Sequence, residues 1–379
     1  MKKAMDKNRE KPFEYLRRKG SNEFFPREVV DNWYMARYYV LNEFKEKEIA
    51  FGPGSDGHLH AVVVGDSPLM LAVVRQLALS AHFSNFVEYD PSGHLLCENR
   101  SVITLVSDTE ADEILGELEK EEYLCNLPKY CKLSVHGRVR NKDSFIDIEL
   151  EIRKDELLDA PSLRITEEMV RGFIASQKPD EVFSIDTRKA VFASRAYGIG
   201  SYVANIPYES IFSSERYSHA LNKLKYRLLK SEKGLVSDSW KESLTAVKEN
   251  LSNLFCSDCF ETRKREIDKW MKGDQKKKET EVWKSANPAL SLSEHGRWTV
   301  EKLIMGYRPW TDRERKDYET LFGEARKGYV QRLKANPADP AHIDLCSYRD
   351  IRRVDPDNLK YDGFLVLAIP LILKQIQGK

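Results

Sequence analysis

The sequence lacks an excess of charge of either sign. It contains 61 lysine and arginine residues against 60 aspartate and glutamate residues, which leaves a net charge of +1 at neutral pH. A protein that binds a phosphate backbone along its surface needs many unpaired basic residues, because its affinity depends on the number of phosphates that it neutralises. We therefore expect no nucleic-acid partner. The hydrophobic fraction of 41% is ordinary for a folded protein.

No hydrophobic run has the length of a membrane span. The longest extends from Phe364 to Leu373 and contains Pro370, whereas a spanning helix needs about 20 apolar residues. The basic N-terminal residues are not followed by the apolar segment of a secretory signal. The sequence therefore predicts no membrane span and a cytoplasmic location.

Cysteine is scarce, with six residues in 379. Cys256 and Cys259 form one CxxC pair, but the segment around them is charged and has the composition of a helix. A structural zinc site needs four ligands, and no other pair with suitable spacing accompanies these two. We therefore predict free thiols in a reducing compartment and no metal site.

The motifs that mark the common catalytic sites are also missing. The sequence contains no GxSxG elbow, no HExxH pair, no Walker loop and no paired Cys/His motif. His60, His82 and His136 each stand alone. This pattern favours a binding role over a catalytic one, and we predict no catalytic residue.

Strand and helix signals alternate between residues 51 and 230. His60 to Val64 is a continuous apolar run of the kind buried in a parallel sheet, and Leu69 to Ala81 has the composition of an apolar helix. This alternation predicts an α/β fold with a Rossmann-like, mostly parallel sheet and flanking helices. The other predicted elements are strands at 85–89, 101–106, 181–186 and 202–206, helices at 110–122, 167–176 and 188–197, and a hairpin within 132–152 whose turn is Asn141–Asp143.

The chain is longer than one core usually supports, so we predict several domains. Residues 1–50 are a helical segment, and 51–230 are the Rossmann-like domain. Residues 231–289 are a helical linker with an exposed basic cluster at 276–278, and 290–379 are a small, mainly helical C-terminal domain. Assembly into a homo-oligomer is compatible with this organisation.

The turn after the first predicted strand has the layout of a nucleotide site. Gly65 opens it, and the amides of the following helix would face an anion. Glu88 follows at the end of the next predicted strand, roughly 20 residues on, where an acidic side chain binds a ribose hydroxyl. Ser67 and Met70 stand where a GxGxxG fingerprint has glycines, so a simple tight turn is the alternative. The predicted site residues are Gly65, Asp66, Ser67, Pro68, Glu88 and Asp90, and the predicted ligand is NAD(H) or another adenine nucleotide.

A second set of residues recurs in a distinctive order after residue 290. A predicted amphipathic helix contains His295, Trp298 and Lys302 and stops at Gly306. The remaining members of the set are Tyr307, Tyr348, Ile351 and Lys360-Tyr361-Asp362, the last three opening an apolar helix. This set resembles the RyR domain family, the small module that is repeated in ryanodine receptors and found in many bacterial proteins.

The resemblance implies a recognition role without catalysis. In bacterial relatives such a module often follows a Rossmann-like domain of the potassium-channel-regulator (TrkA-N) type, which is the order predicted here. Two departures are the sequence after Gly306, where the family has Gly-Trp-x-Tyr-Gly, and a charged insertion from Thr311 to Asn336. Aromatic rings beside cations suit a planar, nucleotide-like ligand, and the alternative role of these rings is to build a small core. The predicted ligand-binding residues are His295, Trp298, Lys302, Tyr307, Arg308, Trp310, Tyr348 and Tyr361.

Taken together, these patterns predict an intracellular sensor or regulator. It would bind a nucleotide or a nucleotide-derived molecule and pass the signal to a protein partner. One alternative is an NAD(P)-dependent oxidoreductase, and another is a protein-interaction scaffold without a small ligand.

Overall fold

The computed structural model describes the chain in separate stretches, the longest of which is 279–355. The described residues are 36–37, 40, 50–52, 55, 57–64, 68–86, 99–107, 109–120, 126–141, 144–154, 181–184, 196–198, 252, 255–273, 279–355, 359, 361–363, 365–366, 368–369 and 372. Within these ranges, no helix has the length and hydropathy that a bilayer crossing requires.

Seven of the nine strands in the described residues form one sheet, and the other two pair with each other. The nine strands are β1 (His60–Val64), β2 (Ser101–Ser107), β3 (Lys132–Val135), β4 (Arg138–Asn141), β5 (Ile148–Lys154), β6 (Glu181–Ser184), β7 (Ala196–Gly198), β8 (Arg308–Pro309) and β9 (Ala341–His342). The sheet order is β4-β3-β5-β2-β1-β6-β7, and β8 pairs separately with β9. Every pair in the large sheet is parallel except β3 with β4. The predicted α/β class with a mostly parallel sheet is confirmed.

Helices flank this sheet and continue through the C-terminal part of the chain. They are α1 (Pro68–Ser80), α2 (Ala111–Lys120), α3 (Leu127–Tyr130), α4 (Phe260–Gly273), α5 (Glu279–Ile304), α6 (Asp312–Glu319), α7 (Gly323–Lys334) and α8 (Tyr348–Val354). The described residues between 359 and 372 are also helical, and we call them the closing helix. α5 passes without a break through the predicted domain boundary at 289/290, and the division into four domains stays a prediction.

One apolar core lies between the sheet and its helices. Ala61 of β1 is in register with Ile103 of β2, which is in register with Leu150 of β5, and all three side chains are buried in this core. α1 is buried along the whole of 70–80, so it is the central helix of this layer. Leu303 of α5 belongs to the same core, which shows that the sheet and the C-terminal helices are packed as one body.

The opposite face of the sheet is more polar. Thr104 of β2 donates a hydrogen bond to Glu151 of β5 at 2.9 Å, and its hydroxyl lies 2.9 Å from Nε2 of His60. Lys132 pairs with Glu149 at 2.8 Å on neighbouring strands. Because successive residues of a strand point to opposite faces, these polar side chains alternate with the apolar ones of the core.

The order of the sheet places β1 in its interior, between β2 and β6. After β1 the chain moves to one side, to β2, β3 and β5, and then returns to the other side of β1 to form β6 and β7. The strand order therefore reverses between β1 and β6. In open parallel sheets, this reversal leaves a crevice at the carboxyl ends of the two strands.

The predicted hairpin is correct in kind but wrong in position. Its turn is at His136 and Gly137, both with positive φ, and it joins β3 to the edge strand β4. The prediction had paired the segment containing β5 with β3 in the antiparallel direction, whereas β5 runs parallel to both β3 and β2. Apolar residues at alternate positions gave no information on strand direction, and this was the source of the error.

Two further predicted elements need correction. In the strand predicted at 85–89, Asn85 lies in a turn, because its side chain donates hydrogen bonds to the carbonyls of Ser55 and Gly57. The helix predicted at 188–197 ends in strand, since Ala196 and Tyr197 belong to β7. The predicted elements at 167–176 and 202–206, and the basic cluster at 276–278, lie outside the described residues.

The predicted helix stop at Gly306 is confirmed by its backbone geometry. Gly306 has a φ of +83°. Its N–H donates to the carbonyl of Leu303, and the N–H of Tyr307 donates to that of Lys302. These two bonds satisfy carbonyls that the last helical turn leaves without partners, and glycine adopts the required conformation without steric cost.

The charged insertion predicted between 311 and 336 forms the two helices α6 and α7. Thr311 caps α6, since its side chain accepts from the N–H of Glu314 while the Glu314 side chain accepts from the N–H of Thr311. Neither helix has a buried residue. The segment after β9 enters helix α8 at Tyr348, and the side chain of Ser347 caps this helix by accepting from the N–H of Asp350.

The closing helix packs in a second apolar core. Its residues Leu365, Ala368, Ile369 and Ile372 form a cluster with Phe260 of α4 and with Leu290 of α5. The second core is therefore built by three helices.

The surroundings of Gly296 and Gly328, both in helices, predict opposite effects on stability when each glycine is replaced by alanine. A Cβ on Gly296 of α5 would lie 2.5 Å from Oδ1 of Asp147, a carboxylate that is held at 2.8 Å by His82. We expect Gly296→Ala to destabilise the fold by about 1–3 kcal/mol through overpacking. A Cβ on Gly328 of α7 would meet nothing within 4 Å, so Gly328→Ala should stabilise by up to about 1 kcal/mol through helix propensity. Urea unfolding measures both, and shifts of the two midpoints in the same direction would contradict this packing.

Candidate functional site

The first candidate site lies at the carboxyl end of β1. β1 ends at Val64 and α1 begins at Pro68, so the connection between strand and helix is short. Pro68 occupies the first turn of α1, where a missing N–H removes no helical hydrogen bond. The other residues predicted for this site lie outside the described residues, and they are Gly65, Asp66, Ser67, Glu88 and Asp90.

The second candidate site is a series of ring contacts in the C-terminal part of the chain. His295 lies 5.5 Å from Tyr348 and 5.8 Å from Trp298, measured between ring centroids. Trp298 meets His342 edge to face at 4.9 Å, and His342 lies 6.2 Å from Tyr307. We call these five rings the aromatic row. Four of them were predicted from the sequence, and the structure brings them together through His342, which was not.

Most of the aromatic row is buried. His295 and Tyr307 are 5% and 6% exposed, and the side chain of His342 is 11% exposed. Tyr307 packs in the main apolar core. The row therefore joins α5, β9 and α8 by packing, and Trp298 and Tyr348 are its more accessible members.

The two cations predicted for this site are neutralised by neighbouring carboxylates. Lys302 lies 5.6 Å from the Trp298 ring centroid, but its ammonium group donates to Glu301 at 2.7 Å. Arg308 forms bidentate contacts with Glu314 and a further ion pair with Asp339. The hydrogen bonds that Arg308 donates to these two carboxylates raise the pKa of Arg308. The hydrogen bond from Arg308 holds the pKa of Glu314 down at about 2, although burial opposes this shift. The arrangement suits a planar or cationic group better than a phosphate.

The other two residues of the prediction lie apart from the aromatic row. Trp310 is buried and packs edge to face on Tyr318 and Tyr329, in a small separate core. Tyr361 is 44% exposed on the closing helix.

A buried polar network connects the carboxyl end of α1 to the C-terminal helices. Arg263 of α4 donates to the carbonyl of His82 at 2.6 Å and to Glu266 at 3.0 Å. Glu266 in turn accepts from the N–H of Ser84 at 2.7 Å and from its hydroxyl at 2.8 Å. Burial raises the pKa of Glu266, although Arg263 opposes the change. This network could not be predicted from the sequence, because its members are far apart in the chain.

The cysteines that the structure describes are buried, and none of them forms a disulfide. Cys259, of the CxxC pair, donates to the carbonyl of Leu79 at 3.5 Å. Burial raises the pKa of the Cys131 and Cys259 thiols to about 12, which removes their reactivity at neutral pH. Groups of side chains able to hold a metal ion are also absent from the part of the chain that the structure describes.

Known proteins give no further guide to either candidate site. When the chain is compared with protein-family models, with curated proteins and with solved structures, no family, no protein and no structure matches it.

Proposed function

We propose that this protein is a non-catalytic intracellular regulator whose Rossmann-like domain binds a nucleotide or a nucleotide-derived molecule. The observation that carries the proposal is the interior position of β1, with the reversal of strand order between β1 and β6. Ligands of open α/β sheets bind at the carboxyl ends of the strands at such a reversal. The short connection from β1 to α1 begins at this position.

The chemistry of the helix start supports an anionic ligand. α1 extends over 13 residues, so its peptide dipoles give a partial positive charge at the N-terminal end, where N–H groups have no helical partner. A phosphate group of a nucleotide is the anion most often bound in this way. From the sequence, we propose Glu88 as the acceptor of a ribose hydroxyl.

The position of α1 also supports regulation. Its N-terminal end begins at the proposed site. Near its carboxyl end, Gln76 and Leu79 contact Asp258 and Cys259, which directly precede α4, and His82, just after α1, contacts Arg263 of α4. α1 also packs against α5. A ligand that binds one arrangement of α1 more tightly than another increases the population of that arrangement and lowers that of the other. We propose that this rearrangement of α1 is transmitted through α4 and α5 to the RyR-like module and to a protein partner.

Thermal unfolding with a panel of ligands tests the proposal. The panel is NADH, ADP-ribose, ATP and cyclic nucleotides. A ligand at 100 times its Kd should stabilise the native protein by about 2.7 kcal/mol. We expect Glu88→Ala to weaken a ribose-containing ligand by about 1–3 kcal/mol, whereas Glu324→Ala, on an exposed side chain of α7, should leave its affinity unchanged.

Each alternative function has its own result in this experiment. An unchanged melting temperature with every ligand would favour a scaffold and would overturn the proposal. Stabilisation by NADH together with hydride transfer to a carbonyl compound would favour an oxidoreductase. Equal affinities of the Glu88→Ala and Glu324→Ala variants would remove Glu88 from the site.

A further inference from the structure

His295 connects three segments of the C-terminal part of the chain. It belongs to α5 and is 5% exposed. Its Nδ1 lies 3.4 Å from Oδ2 of Asp362 on the closing helix, and its Nε2 lies 3.2 Å from the carbonyl oxygen of Cys346, just before α8. One imidazole ring therefore bridges α5, the closing helix and the segment that leads into α8.

Both partners of the ring are hydrogen-bond acceptors. A neutral imidazole has a single N–H and donates to one of them, whereas the imidazolium has two N–H groups and donates to both. The contact to Asp362 then becomes a charge-assisted pair between two helices, and such pairs are stronger than neutral hydrogen bonds. His295 can therefore donate to both acceptors only when the ring is protonated.

The surroundings of the ring act in both directions. The hydroxyl of Thr299 lies 3.4 Å from Nε2 and can donate to it only when the ring is neutral. The cationic groups of Lys302 and Arg352, at 5.6 Å and 5.5 Å from the centroids of Trp298 and Tyr348, oppose a further positive charge on the imidazole. Burial alone would lower the pKa of His295, but the hydrogen bond and charge of Asp362, the carbonyl of Cys346 and the charge of Asp344 together raise it.

We propose that His295 is a pH-sensitive latch that fastens the closing helix and the start of α8 to α5. The pair with Asp362 stabilises this attachment while the imidazole carries its second proton. Loss of that proton leaves one acceptor without a donor in a buried position, which costs free energy. The latch is independent of the proposed nucleotide site, since it needs no ligand.

The direction of the pH dependence follows from the raised pKa. A group whose pKa is higher in the folded than in the unfolded chain adds stability that is complete below the unfolded value, about 6.5 for histidine. This stability is lost as the pH rises through the folded value. The latch is therefore closed in mildly acidic solution and weakens in alkaline solution.

Opening of the latch would first affect the closing helix. Asp362 is one turn before Leu365 and Val366 and two turns before Ile369, and these apolar residues pack on α4 and α5. Weakening the contact at Asp362 allows this helix to separate more often, and each separation exposes apolar surface at the three-helix core. Separation is therefore a local event that leaves the sheet intact.

Hydrogen exchange of the full chain, followed by mass spectrometry, tests the latch. Exchange in residues 359–372 is measured between about pH 6 and about pH 9 and normalised to the unfolded chain, because intrinsic exchange itself depends on pH. We expect protection of these residues to fall several-fold across this range, while protection of β1 and β2 stays constant.

Three variants identify the group responsible. His295→Gln and Asp362→Asn should both remove the pH dependence of protection, and Asp362→Asn keeps an acceptor of the same size if His295→Gln does not fold. His58→Gln replaces an exposed histidine and should keep the wild-type dependence. Protection of the wild-type closing helix that is equal at both ends of the pH range would overturn the proposal, and so would an unchanged pH dependence in Asp362→Asn.

Discussion

Replacing Arg297 with alanine is expected to destabilise the protein by about 3–5 kcal/mol. Its guanidinium donates to Glu294 and to Glu301, each at 2.8 Å, and all three side chains are at most 4% exposed. Without Arg297, two carboxylates remain in the interior with less compensation, and desolvated charges without partners are costly. Urea unfolding followed by circular dichroism measures the change.

The control for Arg297 is an arginine of the same charge in an exposed position. Arg313→Ala on α6 should change the free energy of unfolding by less than about 0.5 kcal/mol. Replacing Arg297, Glu294 and Glu301 together with methionine should cost less than Arg297→Ala alone, since it leaves no buried charge in the triad. A stability of Arg297→Ala within about 1 kcal/mol of the wild type would show that the triad is hydrated, contrary to this expectation.

The buried group of Arg297, Glu294 and Glu301 also predicts that the stability of the fold decreases in acid. Burial alone would raise the pKa of Glu301, but Lys302 and Arg297 lower it to about 2. A carboxylate whose pKa is lower in the folded chain adds stability above its unfolded value, and this stability is lost as the pH falls towards the folded one. Part of the acid sensitivity between about pH 4.5 and pH 2 should therefore come from Glu301, and it should diminish in Arg297→Ala.

Asp258→Ala is expected to cost a similar amount, about 3–5 kcal/mol. Asp258 accepts from Nε of Arg37 at 2.8 Å and from Nη2 at 2.5 Å, and the two side chains are 1% and 0% exposed. Gln76 of α1 also approaches the carboxylate, at 3.4 Å. Removing Asp258 leaves the buried guanidinium of Arg37 without this carboxylate. Thermal and urea unfolding both report the loss.

Asp268 supplies the matched control for Asp258. It forms a pair with Lys264 at 2.6 Å on α4, but the two side chains are 48% and 38% exposed. Exposed pairs of this kind contribute about 0–1 kcal/mol, so Asp268→Ala should have a small effect. If Asp258→Ala and Asp268→Ala lowered the free energy of unfolding by equal amounts, burial would not determine how much these ion pairs contribute to stability.

The sequence was sufficient for the local elements that depend on short-range patterns. The apolar run of β1, the helix after it and the glycine stop at Gly306 were predicted close to their observed bounds. Each depends on residues within a few positions of one another, such as the missing Cβ of Gly306 or the successive valines of β1. Strand direction depends on distant partners, so the parallel pairing of β5 was missed.

The residues that join distant parts of the chain were missed for the same reason. Asp147 contacts both His82 and Gly296, and no spacing in the sequence relates these three positions. His342 enters the aromatic row because β9 pairs with β8, a contact between two very short strands. His295, Trp298, Tyr307 and Tyr348 were predicted through the resemblance to a family, which supplied their order in the chain but not their burial.

The exposed faces of the helices α6 and α7 form a surface whose sequence can vary. Neither helix has a fully buried side chain, but Tyr318, Tyr329, Val330 and Leu333 pack against the small core around Trp310, and Glu314 pairs with Arg308. The exposed positions of both helices can change with little effect on folding, because substitutions at exposed sites usually alter stability only slightly. Mutation could therefore alter the charge and shape of this surface step by step while the sheet and the buried ion pairs stay the same.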